Sequence, residues 1–455
     1  MTSRRQFTLA LTGTAFAGLL GACASTSVAD PGRRPRAYGE LVADPEGLLD
    51  LPAGFSYRVI SAFGDRMDDG MSVPDYFDGM GCFPLGGSRV ALVRNHELQP
   101  QHQELGPLRA GNSARPKTYD RTTAGGAPLP GGTTSIVFDL AAGRVVQQHL
   151  SLLGTIRNCA GGATPWGSWL TCEESTTRAG TSVGRDHGWV FEVPAAAREV
   201  VEPVPLTALG RFNHEAAVVD PRTGIVYLTE DRGDSLLYRL LPTARGELRR
   251  GGRLQALALL EPGLTDSRNW EGVTLARGSW QATRWIDLDN VESPDDDLRR
   301  RGHARSALLF ARGEGIHMGD GELYFCCTSG GPAKLGQVMR YRPSRFEGQP
   351  DEAREPGRLQ NFVESDDPAQ LNYGDNLTVA PNGHLIVCED QGGQVVDNHL
   401  RGVTPAGALY GLARLRVQTE LAGACFSPDG STMFVNVFSP GRTLAITGPW
   451  RGFAA

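Results

Sequence analysis

The chain has almost no lysine and no surplus of positive charge. Of its 45 basic residues only Lys117 and Lys334 are lysines, and 51 acidic residues bring the formal net charge to −6. A nucleic-acid-binding protein needs a basic surplus to neutralise the phosphate backbone, so this class is excluded. We attribute the preference for arginine over lysine to the base composition of the genome.

Paired metal-binding motifs and long hydrophobic segments are also missing. None of the eight cysteines forms a C-x-x-C motif, which excludes zinc-finger and thioredoxin-like sites. His96-Glu97 and His214-Glu215 do not extend to H-E-x-x-H, so no zincin is predicted. The apolar run over 9–20 is shorter than the roughly 20 residues of a membrane-spanning helix. We therefore expect a mature chain that is soluble or tethered by its N-terminus.

The first 23 residues are typical of a targeting segment. Twin arginines, Arg4 and Arg5, precede the apolar run, as in a twin-arginine export signal. Leu20-Gly21-Ala22-Cys23 resembles a lipobox, which predicts a lipid on Cys23; cleavage after Ala24 by an ordinary signal peptidase is the alternative. We expect export by the twin-arginine translocase to the periplasm, the cell envelope or the medium, and a folded domain over 24–455.

Glycine and proline, at 58 and 29 residues, are more abundant than usual, which indicates many turns and favours an all-β fold. A repeated pattern supports this: a polar opening, an apolar strand, a glycine turn, and a second apolar strand that ends in cysteine or threonine and an acid. The openings lie at Asn158, Glu215, Glu271, Glu314, Asp375 and Gly423, with a looser copy at Asp78. Their spacing, on the order of 40–60 residues, resembles that of four-stranded propeller blades.

The repeat predicts a single β-propeller with loop insertions at 98–132, 292–304 and 343–371. The copy at Glu271 has no recognisable second strand. The repeat alone therefore leaves six or seven blades open.

Acidic residues at equivalent positions predict a metal site. The innermost strands of a propeller line its channel, so residues that open or close these strands converge. The converging acids and thiol are Glu215, Glu271, Glu314, Asp375, Cys172-Glu173 and Glu389-Asp390. Clustered carboxylates raise one another's pKa values unless a cation compensates them. Oxygen ligands suit Ca²⁺ or Mg²⁺, and a thiolate indicates a transition metal. The alternatives are acids that cap turns or pair with arginine, and a Cys172 that is a buried apolar residue.

Arg312 stands two residues before Glu314. A guanidinium beside a metal cluster is suited to bind phosphate or carboxylate through two hydrogen bonds. A salt bridge to a neighbouring carboxylate is the alternative role for this residue.

Several segments together resemble one family, the PhoX-type alkaline phosphatases, which are bacterial enzymes exported by the twin-arginine route. The segments follow the same order over nearly the whole mature chain. They are Asn95-His96-Glu97; Asn158-Cys159-Ala160-Gly161-Gly162 with Thr164-Pro165-Trp166-Gly167 and Cys172-Glu173-Glu174; Gly210-Arg211-Phe212 before His214-Glu215; Arg312-Gly313-Glu314-Gly315; Asp375-Asn376-Leu377-Thr378 with Cys388-Glu389-Asp390; Arg401-Gly402-Val403-Thr404-Pro405; and Cys425-Phe426-Ser427-Pro428-Asp429-Gly430 through Trp450.

The resemblance favours a propeller of six blades, with seven as the alternative. It implies a cluster of Fe³⁺ and Ca²⁺ at one end of the channel. It implies that the Cys172 thiolate ligates iron and that Arg312 holds the phosphate. It implies further metal ligands at Glu173, Glu215, Glu271, Glu314, Asp375 and Glu389. The implied reaction is hydrolysis of phosphomonoesters and often of diesters. We expect attack by a hydroxide or oxo group held on the cluster, with Cys172, Glu314 and Arg312 as the catalytic residues. We also expect a monomeric enzyme.

The chain departs from the family pattern at three places. Gly313 stands where proline is expected, Phe438 where glutamine is expected, and no lysine is found to serve as a second phosphate ligand. Two other functions remain open, a calcium-dependent propeller lactonase or esterase that would not need Cys172, and a non-catalytic metal-binding propeller. A serine hydrolase is disfavoured because Ser182, in a G-x-S-x-G match, lacks the flanking strand and helix.

Overall fold

The structure is a computed structural model that describes residues 38–108, 116–393 and 395–452. The predicted twin-arginine signal, the lipobox and Cys23 lie outside these residues. In the described ranges no helix is long and apolar enough to cross a membrane.

The first half of the chain supplies three leading strands and three blades. The leading strands are β1 (Leu41–Val42), β2 (Leu49–Pro52) and β3 (Ser56–Ala62). Blade 1 contains β4 (Phe77–Gly86), β5 (Arg89–His96), β6 (Gly131–Asp139) and β7 (Arg144–Thr155). Blade 2 contains β8 (Asn158–Ala163), β9 (Ser168–Glu173) and β10 (Val190–Pro194). Blade 3 contains β11 (His214–Val219), β12 (Val226–Glu230), β13 (Tyr238–Pro242) and β14 (Gly252–Leu259).

The second half supplies three more blades. The strand β15 (Trp280–Asp287) pairs with the outer strands of blades 3 and 4 and joins their sheets. Blade 4 contains β16 (Gly313–Met318), β17 (Leu323–Cys327), β18 (Gln337–Arg342) and β19 (Arg358–Glu364). Blade 5 contains β20 (Gly374–Val379), β21 (Leu385–Glu389), β22 (His399–Val403) and β23 (Leu409–Leu415), extended by β2 and β1. Blade 6 contains β24 (Leu421–Phe426), β25 (Thr432–Val437), β26 (Arg442–Thr447) and, from the other end of the chain, β3.

The described strands close into a ring of six blades. The innermost strands are β4, β8, β11, β16, β20 and β24; each contacts the next, and β24 contacts β4. The last blade is completed by β3, which pairs with β26 from Thr447↔Ser56 to Arg442↔Ala62. The seventh opening at Glu271 was a wrong prediction, because residues 270–279 form a loop between β14 and β15. A short helix, α1 (Leu298–His303), and the 3₁₀ turns at Gln103–Leu105, Thr207–Leu209, Leu248–Arg250 and Glu352–Arg354 lie in connecting loops.

Each interface between neighbouring blades has its own apolar core. Between blades 2 and 3, for example, Leu170 and Cys172 pack against Ala217 and Leu228. The other five interfaces hold equivalent clusters. The second strand of each blade is therefore buried on both faces, which explains its almost continuous apolar sequence.

The innermost strands approach one another closely where they enter the channel. A Cβ atom on Gly79 would lie 2.5 Å from the Cα of Ala160, and one on Gly315 would lie 2.6 Å from the Cα of Asn376. Both contacts are with backbone atoms, so only glycine fits. The channel below encloses about 530 Å³ and is lined largely by glycine, alanine and apolar side chains. This approach brings the acidic residues that precede these glycines together.

Candidate metal centre

Every innermost strand carries the same irregularity near its start. The register with the neighbouring strand shifts within the first five residues of all six. Such β-bulges re-aim side chains and recur beside active sites. In five of the six innermost strands, the second residue is an acid or a cysteine. The six second residues are Asp78, Cys159, Glu215, Glu314, Asp375 and Ala422.

Two further sets of residues surround the channel mouth. In each blade the residue after the second strand donates its N–H to the carbonyl oxygen of the residue before the innermost strand, at 2.9–3.2 Å. The donors are Glu97, Glu174, Asp231, Thr328, Asp390 and Phe438. The acceptors, in the same order, are Tyr76, Arg157, Asn213, Arg312, Tyr373 and Glu420. The fold therefore presents three rings of side chains at one end of the channel.

Three groups within these rings have the spacing of metal ligands. Each group brings one ligand atom from each member within 4.8 Å of the others. The groups are Glu215, Glu314 and Asp375; Asp375, Asp390 and Glu420; and Glu97, Cys159 and Glu174. The Cys159 sulfur also lies 3.6 Å from the carboxylate of Asp78. Asp375 joins the first two groups. The third group lies beside them, because Glu97 interacts electrostatically with Asp390 and Glu174 with Glu215.

The carboxylates of this site are poorly compensated by protein groups. Burial, followed by repulsion from neighbouring acids, raises the pKa of Asp78 and of Glu215 well above the usual range. Burial and the charge of Asp390 raise the pKa of Asp375 to about 8. Both oxygens of Glu215 and the Oδ1 of Asp78 are buried without a hydrogen-bond partner. Orphaned acceptors of this kind fit multivalent cations, which would satisfy and ionise them together.

Two arginines lie in this ring of acids. The Arg157 guanidinium donates to Glu97 Oε1 at 2.9 Å and to Glu174 Oε2 at 2.6 Å. Arg312 donates to both oxygens of Asp231 at 2.7 and 2.9 Å and lies 3.1 Å from Glu314. Both precede an innermost strand in the left-handed conformation, with φ of 47° and 56°. Their side chains remain 34% and 40% exposed, so both are accessible to an anion from solvent.

The sequence of the chain matches the family described as alkaline phosphatase PhoX over residues 36–441. The chain belongs to the PhoX alkaline phosphatase family. A similar solved structure is that of Pseudomonas fluorescens PhoX in complex with vanadate, a transition-state analogue, with a TM-score of 0.66 and 19% identity over 88% of this chain and 96% of that one. This family membership confirms the predicted function, metal-dependent hydrolysis of phosphoric esters, and the lactonase alternative is not favoured.

Other similar structures share less with the chain. A gluconolactonase from Xanthomonas campestris has a TM-score of 0.41 and 14% identity, with 92% of this chain and 100% of that one covered. The Cps50 (Swd1) β-propeller domain of Myceliophteria thermophila has a TM-score of 0.39 and 10% identity, with 83% and 98% covered. No curated protein matches the sequence.

Four of the predicted site residues come together in the structure, and four do not. Glu215, Glu314 and Asp375 form one ligand group, and Arg312 lies 3.1 Å from Glu314. Glu271 is instead exposed in the loop between β14 and β15. The remaining three, Cys172, Glu173 and Glu389, are buried but belong to none of the ligand groups.

Cys172 lies in the apolar core between blades 2 and 3, not at the metal centre. Side chains alternate along a strand, so Cys172 shares the face of Leu170 that packs against blade 3. Burial alone raises the pKa of its thiol. The thiol among the carboxylates is that of Cys159, which the sequence analysis did not single out. Its position in Asn158-Cys159-Ala160 matches that of Glu215 in His214-Glu215-Ala216, and this alignment was the available signal.

Glu173 and Glu389 hold loops in place instead of facing the channel. Glu173 accepts hydrogen bonds from the backbone of Ile156, Gly188 and Trp189 at 2.9–3.1 Å. Glu389 accepts from Arg401 Nε at 2.8 Å and from backbone N–H groups. In both places the next residue, Glu174 or Asp390, is the one that joins the ligand groups.

The structure therefore predicts different outcomes for two cysteine substitutions. We expect Cys159→Ala to lower bound transition metal and phosphatase activity at least about tenfold, because it removes the only thiol in the three ligand groups. Cys172→Ala is the matched control, and it should retain metal and activity with a small loss of stability. Elemental analysis of purified protein and hydrolysis of p-nitrophenyl phosphate measure both. The reverse result, metal loss in Cys172→Ala alone, would contradict this placement.

The buried His187 predicts a pH-dependent stability. Its Nδ1 lies 2.6 Å from Glu173 and its Nε2 3.2 Å from Asp120. Burial lowers the pKa of His187, but the two carboxylates outweigh it and raise the pKa to about 9. Since unfolded histidine titrates near 6.5, this stabilisation is complete below about pH 6.5 and is lost as pH rises through about 9.

We expect His187→Gln to lower the free energy of unfolding by about 3 kcal/mol at pH 6, and by much less at pH 10. Urea unfolding of both proteins at several pH values measures this difference in unfolding free energy. The acids of the metal centre titrate in both proteins, so their contribution cancels. A loss of stability that does not change with pH would contradict a charged His187.

Proposed function

We propose that the ligand groups bind a mixed cluster of Ca²⁺ and Fe³⁺ for phosphate ester hydrolysis. The two all-carboxylate groups have the hard oxygen donors that suit Ca²⁺. The group of Glu97, Cys159 and Glu174 adds a thiolate, which favours a transition metal such as iron. The buried, unpartnered oxygens of Glu215 and Asp78 are the observation that carries this proposal. When bound, the cations supply charge neutralisation and an activated water.

The arginines orient the phosphoryl group over this centre. Arg312 forms its hydrogen bonds and ion pairs within the described residues through Nε and Nη2, and its Nη1 has no partner among them. A half-exposed guanidinium beside the ligand groups donates to phosphoryl oxygens and stabilises the charge that develops on them. Arg157 occupies the equivalent position two blades away and supplies the second cationic ligand for which the sequence offered no lysine. Asp231 and Glu174 fix the two guanidinium groups in place.

The substrates in this proposal are small phosphomonoesters and diesters outside the cytoplasm. The half-exposed arginines leave the centre accessible from solvent. Export by the twin-arginine route would allow the cluster to assemble during folding in the cytoplasm. A monomer, tethered through a lipid on Cys23 or free, completes the proposal.

Removal of calcium tests the metal-dependent mechanism. We expect hydrolysis of p-nitrophenyl phosphate at alkaline pH to be lost when a chelator strips natively exported protein, and to return with added Ca²⁺. Circular dichroism before and after chelation controls for unfolding. Turnover that persists in protein shown by elemental analysis to be metal-free would contradict the proposal.

The two arginines are tested by removing each guanidinium. We expect Arg312→Ala to lower kcat/KM by about 10²–10³-fold, because a donor to the transition-state charge is lost. Arg157→Ala should lower it by at least about tenfold and raise the inhibition constant of inorganic phosphate. Arg414→Ala is the control, because Arg414 lies on the outer strand β23 and pairs with Asp397. It should leave kcat/KM and the inhibition constant unchanged. Unaltered phosphate inhibition in Arg157→Ala at full metal content would exclude Arg157 from phosphate binding.

A further inference from the structure

The ring pattern of the metal centre breaks at blade 6. Ala422 occupies the strand position that carries an acid or a thiol in the other five blades. Phe438 occupies the ring position that carries an acid or Thr328 elsewhere. At these two positions blade 6 therefore presents apolar groups where the other blades present polar ones, and Glu420 is its one acid in the three rings.

Backbone hydrogen bonds fix Phe438 beside the ligand groups. Its N–H donates to the carbonyl oxygen of Glu420 at 3.1 Å, and its carbonyl oxygen accepts from the N–H of Phe77 at 2.9 Å. Glu420 belongs to one ligand group, and Phe77 directly precedes Asp78. Phe438 thus stands at the boundary between blades 6 and 1, with its backbone bonded to one residue of a ligand group and to the residue before Asp78.

Two more aromatic side chains extend this surface. The centroids of the Tyr76 and Phe438 rings lie 4.7 Å apart, with an interplanar angle of 30°. The His102 ring packs edge-on against Tyr76, with the centroids 5.0 Å apart. Tyr76 occupies the same position in blade 1 that Arg157 and Arg312 occupy in blades 2 and 4, with the same left-handed backbone at φ 52°. All three rings are half-buried, so each keeps surface available to a ligand.

This surface lies across the channel from Arg312. In a ring of six blades, blade 4 faces blade 1, so Arg312 and Tyr76 stand on opposite sides of the mouth. A phosphoryl group held by Arg312 over the ligand groups leaves the organic part of the ester free to extend toward the aromatic side. Aromatic rings favour offset-stacked or edge-on contact with another ring, and alkyl groups gain less from them.

We propose that Phe438 and Tyr76 form a leaving-group subsite that selects phosphate esters of aromatic alcohols. This inference rests on the proposed function, because it needs the phosphoryl group to bind at the metal centre. It narrows the substrate class from phosphate esters in general to those whose leaving group carries a planar ring.

The subsite is tested with two phosphonates that the enzyme cannot hydrolyse. Phenylphosphonate and methylphosphonate share the anionic group and differ in the organic group, so their affinity ratio isolates the subsite. Calorimetric titration of the metal-loaded enzyme, at a pH where both are dianions, should give a dissociation constant about threefold to tenfold lower for phenylphosphonate. Phe438→Gln should bring this ratio close to one without changing methylphosphonate binding.

Two further variants control for other effects of the substitution. Phe438→Tyr keeps the ring and should keep the ratio, which separates ring contact from a change in folding. Phe346→Gln removes a half-buried ring from the loop between β18 and β19 and should also leave the ratio unchanged.

Equal affinities in the wild-type enzyme, or a ratio that survives Phe438→Gln, would overturn the subsite and leave the proposed function intact. Failure of both phosphonates and of inorganic phosphate to bind the metal-loaded enzyme would instead overturn the proposed function, and the subsite with it.

Discussion

The structure depends on holding mutually repelling acids in one buried place. Asp78, Glu215 and Glu314 all have pKa values raised by burial and by their neighbours. Protein groups compensate this charge only in part, through Arg157 and Arg312. Without cations the raised pKa values favour the protonated acids, and cation binding displaces protons, so metal loading is coupled to pH. The scaffold must supply the stability that this site cannot.

That stability comes from features at a distance from the acids. Six apolar cores, one at each blade interface, hold the blades together. Strand β3 completes blade 6, so the ring is closed by residues from both ends of the domain. Glycines such as Gly79 and Gly315 then allow the innermost strands to meet backbone to backbone. Because the blades are fixed laterally, the second residues of these strands converge without freedom to move apart.

The fold was predictable because its signals are local and repeated. Apolar strand pairs with glycine turns occur at blade spacing, and Glu215, Glu314 and Asp375 stand at equivalent positions in them. The rest of the site depends on the direction in which each side chain points, which composition does not encode. Cys172 and Cys159 are both flanked by motif residues. The strand face on which each lies decides that Cys172 packs against blade 3 and that Cys159 joins a ligand group. Similarly, the turn after each second strand decides that Glu174, and not Glu173, enters the channel.

The adjacent acids Glu173-Glu174 and Glu389-Asp390 show how one short motif serves two purposes. The first acid accepts backbone hydrogen bonds from nearby loops and fixes the end of the strand. The second is thereby placed at the channel mouth among the other metal-ligand candidates. The channel mouth would be uniform if all six blades carried the same residue types at the ends of these strands. The exceptions, arginine before β8 and β16 and aromatic residues around blade 6, give the mouth a cationic side and an apolar side. A phosphate ester likewise has an anionic end and an organic end. The arginines and the aromatic residues therefore define how the ester is oriented at the mouth.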